Sequence, residues 1–263
     1  MNIELDRIYN MDCLVGMKAI PDGTIDLTVT SPPYDNLRTY NGYCFDFENI
    51  ARELYRVTKQ GGVVVWVVGD ATIDGDETCT SFKQALFFRD CGFRLLDTMI
   101  YLKANYAPMY PSARRYANQF EYMFIFSKGK HKTFNPIQKA KARNRREVLA
   151  YRQKDGSFHR KVKEAGRETK DASNVWEYSV GGNSSKDSIA FEHPAIFPEL
   201  LARDHITSWS NEGDIVLDPF MGSGTTAKVA RALGRHYIGF EISAEYCDII
   251  RQRLEQTKSL FDL

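Results

Sequence analysis

The chain has 263 residues, enough to bury a substantial core as one domain with an insertion or as two small domains. Hydrophobic residues make up 43% and charged residues 26%, ordinary globular values, and the net charge of +1 gives no average signal for nucleic acid. Five scattered cysteines without C-x-x-C spacing argue against a zinc site and suit a reducing, cytoplasmic setting. The longest apolar run, Val63 to Val68, is too short for a bilayer, and Met1 to Asp6 is no signal peptide.

Arg7 to Asp12 reads as a short strand ending in an acid, followed by a helix from Cys13 to Ala19 that Pro21-Asp22-Gly23 stops. Asp12 stands where a helix N-cap is expected. Ile25 to Val29 is a buried strand that runs into Thr30-Ser31-Pro32-Pro33-Tyr34. Neither proline has an N–H for a ladder, so the chain must leave the sheet at Ser31 in a stiff, extended turn. A hydroxyl, fixed carbonyls and an aromatic face are thereby presented at the carboxyl end of a strand, where open α/β sheets bind ligands. Asp35 to Cys44, with Arg38, is too irregular for a strand and reads either as a substrate lid or as a plain surface loop.

Phe47 to Thr58 has a helical period, and Lys59-Gln60-Gly61-Gly62 is expected to stop it. Val63 to Val68 is apolar without alternation, the mark of a strand covered on both faces. A helix from Ser81 to Arg89 and strands over Phe93 to Leu102 and Phe120 to Phe126 follow. The long loop between those strands carries Arg114 and Arg115, and long loops in compact domains are often functional. From Lys128 to Lys170 fifteen Lys and Arg face four acids, among them Arg143, Arg145 and Arg146. This is either a solvated basic loop or a segment that neutralises phosphates. Its few hydrophobic residues predict no independent core.

Asn174-Val175-Trp176 resumes ordered structure, and His193-Pro194-Ala195-Ile196-Phe197-Pro198 leads into a helix from Glu199 to Trp209. Asp214 to Asp218 is a short apolar strand. It enters Pro219-Phe220-Met221-Gly222-Ser223-Gly224-Thr225-Thr226 and a helix from Ala227 to Leu233. Strand, glycine turn and helix let a backbone approach a nucleotide-like ligand. Tyr237 to Glu241 is a strand ending in an acid able to accept from two ribose hydroxyls. Glu245 to Gln256 closes the chain as a helix with Tyr246, Ile249, Ile250 and Leu254 on one face.

The S-P-P-Y and D-P-F-x-G-S-G-T stretches together resemble the amino-directed DNA methyltransferases, which methylate N4 of cytosine or N6 of adenine. Their order, catalytic motif first, resembles the β arrangement of that family, and only Lys130 to about Gly182 lacks the likeness. The resemblance implies an α/β fold: a doubly wound, circularly permuted Rossmann-like sheet carrying a basic target-recognition insertion. Residues 1–129 would be the catalytic half, 130–182 the DNA-recognition insertion and 183–263 the cofactor half. It implies S-adenosylmethionine as cofactor, held by Asp12, His193, Phe197, Asp218, Phe220, Gly222, Ser223, Gly224, Thr225 and Glu241. It assigns catalysis to Ser31, Pro32, Pro33 and Tyr34, with no metal. Double-stranded DNA would be met by Arg38, Arg114, Arg115, Arg143, Arg145 and Arg146. A cognate restriction endonuclease is a further expected partner, and a monomer or homodimer the expected state. Ser in the first motif position favours cytosine; N6 of adenine is the alternative.

Two rivals come from other classes. Gly222 to Ala227 also fits a nicotinamide-binding G-x-G-x-x-A turn, with Glu241 about twenty residues on. Only 22 residues follow Glu241, so the further βα units of such a domain must come from the N-terminal segment. A non-catalytic nucleic-acid-binding module is the other, against which the intact Ser31, Tyr34, glycine loop and Glu241 speak.

Overall fold

A computed structural model describes residues 3–33, 45–106, 114–140, 147–163, 166–181 and 197–257. Tyr34, Arg38, Arg143, Arg145, Arg146 and His193 lie outside the described residues. In chain order the first elements are β1 (Arg7–Asn10), α1 (Cys13–Lys18), β2 (Ile25–Thr30), α2 (Phe47–Val57), β3 (Thr58–Val68), β4 (Thr72–Ile73), β5 (Asp76–Glu77) and α3 (Thr80–Asp90). Then come β6 (Arg94–Lys103), β7 (Phe120–Ser127), β8 (Gln138–Ala140), β9 (Glu147–Arg152), β10 (Phe158–Lys163), β11 (Thr169–Asp171) and β12 (Val175–Tyr178). The last are α4 (Glu199–Trp209), β13 (Ile215–Asp218), α5 (Thr225–Ala232), β14 (His236–Glu241) and α6 (Ala244–Glu255).

The chain divides into two compact units, Met1–Asn135 with Asn174–Leu263, and Pro136–Ser173. The larger holds an eight-stranded sheet in the order β1-β14-β13-β2-β3-β7-β6-β12. Its pairings are parallel except for β7, which runs antiparallel to both β3 and β6. The C-terminal strands β13 and β14 sit inside N-terminal ones, which is the circular permutation the motif order implies. Val63 to Val68 of β3 are at most 1% exposed, so both faces of the sheet are covered. Val64, Trp66 and Val68 pack with Met17 of α1, Leu54 of α2 and Phe88 of α3. The alternate residues Val63, Val65 and Val67 point the other way, as the period of two requires.

One difference from the sequence expectation has a local cause. Lys59 to Gly62 does not stand between helix and strand but lies inside β3. Ile25 pairs with Thr58 and Leu27 with Val63, so these residues bulge out of the ladder. Gly61 takes φ +87°, and its N–H donates to the Lys128 carbonyl at 2.7 Å. Val175–Tyr178 adds a parallel edge strand to β6, and the larger unit resumes at Asn174, where the sequence reading has ordered structure resume. The smaller unit contains two antiparallel pairs, β9 with β10 and β8 with β11. The β9–β10 turn is closed by the Gln153 N–H on the Ser157 carbonyl at 2.7 Å. Asp155 Oδ1 accepts from both the amide and the hydroxyl of Ser157. None of the described residues of this unit is buried.

On α4, His205 is wholly buried beside Met123, with Nε2 3.2 Å from the sulfur, and Trp176 lies against its ring at 4.7 Å. Burial pushes its pKa down to about 3. The unfolded chain therefore binds a proton that the folded one refuses. The stability this represents is complete above the unfolded pKa near 6.5 and is lost as the pH falls from there toward 3. At pH 5 the loss is about 2 kcal/mol. Asp218 and Glu241, both with raised pKa, contribute with the opposite sign, so the variant His205→Leu is the reference. Urea midpoints at pH 7 and pH 5 are expected to fall further in the parent than in His205→Leu. Equal falls would show that His205 is not refusing the proton.

Candidate active site

β2 and β13 are parallel neighbours, with Leu217 opposite Thr28. The turns that follow them, Ser31-Pro32-Pro33 and Pro219 to Gly224, therefore leave the same edge of the sheet side by side. One carboxylate joins them. Asp218 Oδ1 accepts from the Thr30 hydroxyl at 2.6 Å and from the Phe220 N–H at 3.0 Å. The Thr226 hydroxyl also bonds Asp218 and lies 3.3 Å from the Val29 carbonyl. Burial raises the Asp218 pKa, and the hydrogen bonds from Thr30, Thr226 and Phe220 oppose the rise. A carboxylate so occupied fixes the spacing between the S-P-P turn and the glycine turn.

The glycine turn needs its glycines. Gly222 and Gly224 take φ +51° and +81°, where a side chain is strained. A Cβ on Gly224 would also come within 2.7 Å of Ile250 Cγ2 on α6. Glu241, at the end of β14, is 9% exposed. Its Oε2 accepts the Gly222 N–H and its Oε1 the Ser243 N–H, both at 2.8 Å. Burial raises its pKa first; these amide bonds pull it down, and the nearby Asp218 charge adds to the rise. Two carboxylate oxygens have about four lone-pair positions, so the amides of Gly222, Ser243 and Ile242 leave acceptor capacity for a ribose hydroxyl. Asp12 lies one strand over, since Asn10 pairs with Glu241. It is the N-cap of α1, its Oδ1 accepting from Leu14 N at 2.8 Å and Val15 N at 3.3 Å.

The sequence-predicted residues thus divide. Ser31, Pro32 and Pro33 at the end of β2, Asp218 to Thr225 at the end of β13, Glu241 at the end of β14 and Asp12 at the end of β1 share the carboxyl edge of four adjacent strands. Phe197, half-buried, precedes α4 by two residues. Some of these side chains are engaged within the protein. The Phe220 ring lies 5.6 Å from Phe45 and 6.3 Å from Trp66. The Ser223 and Thr225 hydroxyls accept from Arg253 at 3.1 and 3.3 Å. Arg115 pairs with Glu77 at 2.7 Å and bonds Thr72, fastening the β4–β5 hairpin, whereas Arg114 is exposed with φ +50°. Thr30, Thr226 and Arg253 had no place among the expected site residues. For Arg253 a signal existed: it is a cation in the stripe of Ile249, Ile250 and Leu254.

Residues 25–252 match the family model described as DNA methylase. The chain belongs to the DNA methylase family. It is 59% identical over 242 residues to the orphan methyltransferase M.BamHII of Bacillus amyloliquefaciens, covering 90% of this chain and 91% of that one. It is 30% identical over 261 residues to the type II methyltransferase M.BglII of Bacillus subtilis, covering 95% and 69%. Among solved structures, the cytosine-N4-specific PvuII DNA methyltransferase matches with a TM-score of 0.71 at 20% identity, over 96% of this chain and 87% of that one. The modification methylase TTHA0409 of Thermus thermophilus, complexed with S-adenosyl-L-methionine, matches at 0.65 and 24% identity over 95% and 93%. The two structural matches show the fold, and the sequence matches the family: this methylase is a DNA methyltransferase with a Rossmann-like sheet. Among the described residues of the methylase no helix is long and apolar enough to cross a membrane, and no cluster of metal-ligating side chains is present.

Proposed function

We propose that the methylase transfers a methyl group from S-adenosylmethionine to the exocyclic N4 amine of a cytosine flipped out of double-stranded DNA. The observation that carries this reading is the Asp218 carboxylate, which fastens the S-P-P turn to the glycine turn through Thr30 and Phe220. A cofactor laid on the glycine turn then lies next to Ser31. The pocket residues suit the group: Glu241 keeps acceptor capacity for a ribose hydroxyl, and Gly222 and Gly224 let backbone approach. When bound, S-adenosylmethionine supplies an electrophilic methyl on a sulfonium.

The chain's own residues do the rest. The lone pair of an aromatic amine is delocalised into its ring, so it is a weak nucleophile. The Ser31 hydroxyl and the Pro32 carbonyl accept its two N–H bonds, favour a pyramidal nitrogen and return the lone pair. The prolines keep those acceptors fixed, so their orientation is set before the substrate arrives. Tyr34 stacks on the extruded base and replaces part of the stacking lost from the duplex. Ser31 in the first motif position, where the resemblance puts Ser more often among cytosine-N4 enzymes and Asp among adenine enzymes, supports cytosine as the target. Digesting treated DNA to nucleosides and weighing the products tests this. N4-methylcytosine is expected; N6-methyladenine would move the reaction to the other base, and an unmethylated digest would overturn it.

The basic segment within 130–182 is the DNA-recognition insertion in this reading, together with Arg38, Arg114, Arg143, Arg145 and Arg146. Arg115, spent on Glu77, contributes by holding its loop. Within the insertion the β9–β10 hairpin carries Arg152, Lys154, Arg160 and Lys161, all exposed. Cations there displace counterions from phosphates. Replacing these four by Ala is expected to weaken binding to all DNA sequences alike. The slope of log K against log salt should flatten by about 0.9 for every phosphate that is no longer neutralised. An unchanged slope would remove the hairpin from the DNA interface.

A further inference from the structure

The side chain of Arg253 on α6 has no exposure, although it carries a full charge. Donors on its two terminal nitrogens reach the glycine turn and the start of α4. Nη1 bonds the Ser223 carbonyl, the Ser223 hydroxyl at 3.1 Å and the Thr225 hydroxyl at 3.3 Å; Nη2 reaches Glu199 Oε1 at 2.9 Å. Glu199 is the first residue of α4, and its Oε1 is shared with Lys228 of α5 at 2.9 Å. Ile250, one turn earlier on α6, is the neighbour that a Cβ on Gly224 would strike. The closing helix is therefore the floor of the glycine turn, and Arg253 ties that floor to the start of α4.

Burying a guanidinium is a poor way to gain stability alone, because an apolar residue of similar volume usually serves as well. Its planar fork is well suited to holding several acceptors in one geometry. The acceptors here are the main chain and hydroxyls of a turn whose glycines already sit at positive φ. We infer that Arg253, with Glu199, is a positioning residue that holds the glycine turn in its cofactor-binding conformation and keeps the α4 start against it. The inference rests on the reading of that turn as the S-adenosylmethionine site. It assigns Arg253 to cofactor affinity and not to the chemical step, because Ser223 and Thr225, which it holds, belong to the turn after β13, whereas Ser31 follows β2.

Arg253→Met is a usable test because Glu199 keeps Lys228 and no acid is left buried without a cation. The variant is expected to raise the Kd for S-adenosylhomocysteine and the KM for S-adenosylmethionine roughly 10- to 100-fold, the size expected for losing charge-assisted bonds that set a binding turn. Turnover at saturating cofactor should stay within about twofold of the parent. Arg253→Lys, which keeps the charge but not the fork, should fall between the two. Thermal melting establishes that each protein is folded at the temperature of titration. Should Arg253→Met not fold, Glu199→Gln probes the same link from its half-exposed side, with an expected rise in Kd of about 3- to 10-fold. Folded variants that bind S-adenosylhomocysteine like the parent would overturn the inference. A parent that does not bind it at all would instead sink the cofactor reading.

Discussion

Ser31→Ala is expected to slow methyl transfer by roughly 10² to 10³, the usual cost of removing one preorganised polar contact from a reacting centre. The substitution leaves Pro32 and Pro33, so the turn persists and only the hydroxyl is lost. Cofactor affinity should hardly change, because Glu241 and the glycine turn belong to β14 and β13, whereas Ser31 follows β2. The combination matters more than either number. A fall in turnover with an unchanged Kd for S-adenosylhomocysteine places Ser31 on the amine, not on the cofactor. Transfer at the parent rate would show that the amine is activated some other way. Calorimetry and a single-turnover assay with labelled cofactor give the two quantities.

Asp218→Ala is expected to act on both turns at once. It strips an acceptor from the Thr30 hydroxyl, the Phe220 N–H and the Thr226 hydroxyl, and Thr30 and Thr226 are almost wholly buried. Leaving buried donors unsatisfied costs on the order of 3 kcal/mol in total, with more if Phe220 moves from Trp66. The urea midpoint should drop accordingly. Because the carboxylate is what spaces the S-P-P turn from the glycine turn, turnover should fall together with cofactor affinity, unlike in Ser31→Ala. Loss of stability with full activity in the remaining folded protein would mean that the carboxylate serves folding only.

Much of this site is legible in the sequence because prolines and glycines act locally. Pro32-Pro33 must end a strand wherever it lies, and Gly222 and Gly224 take positive φ within their own turn. The apolar run Val63 to Val68 announces a strand buried on both sides, and α4 has the bounds its pattern predicts, Glu199–Trp209. What escapes the sequence depends on distant partners. Asp218 reads as a cofactor acid until Thr30, 188 positions away, is seen to donate to it. Arg115 reads as a free cation until Glu77 is found beside it, and Ser223 as a ligand contact until Arg253 is found beneath it. The β9–β10 hairpin is hidden for a different reason. Its strands are held by turn and ladder, with no buried residue among those described, and no alternation of apolar residues marks them. The signal it does offer is Asp155-Gly156, a turn pair between Val148 and Val162, residues that the ladder sets opposite each other.

The convergence of the two turns on one ligand is the central claim, and a crystal structure of the methylase with S-adenosylhomocysteine tests it most directly. The expected result is a ribose with a hydroxyl donating to Glu241, backbone of the Gly222–Gly224 turn against the ligand, and the sulfur facing the Ser31-Pro32-Pro33 turn. An adenosyl group seated away from Glu241, or a sulfur turned away from Ser31, would contradict it.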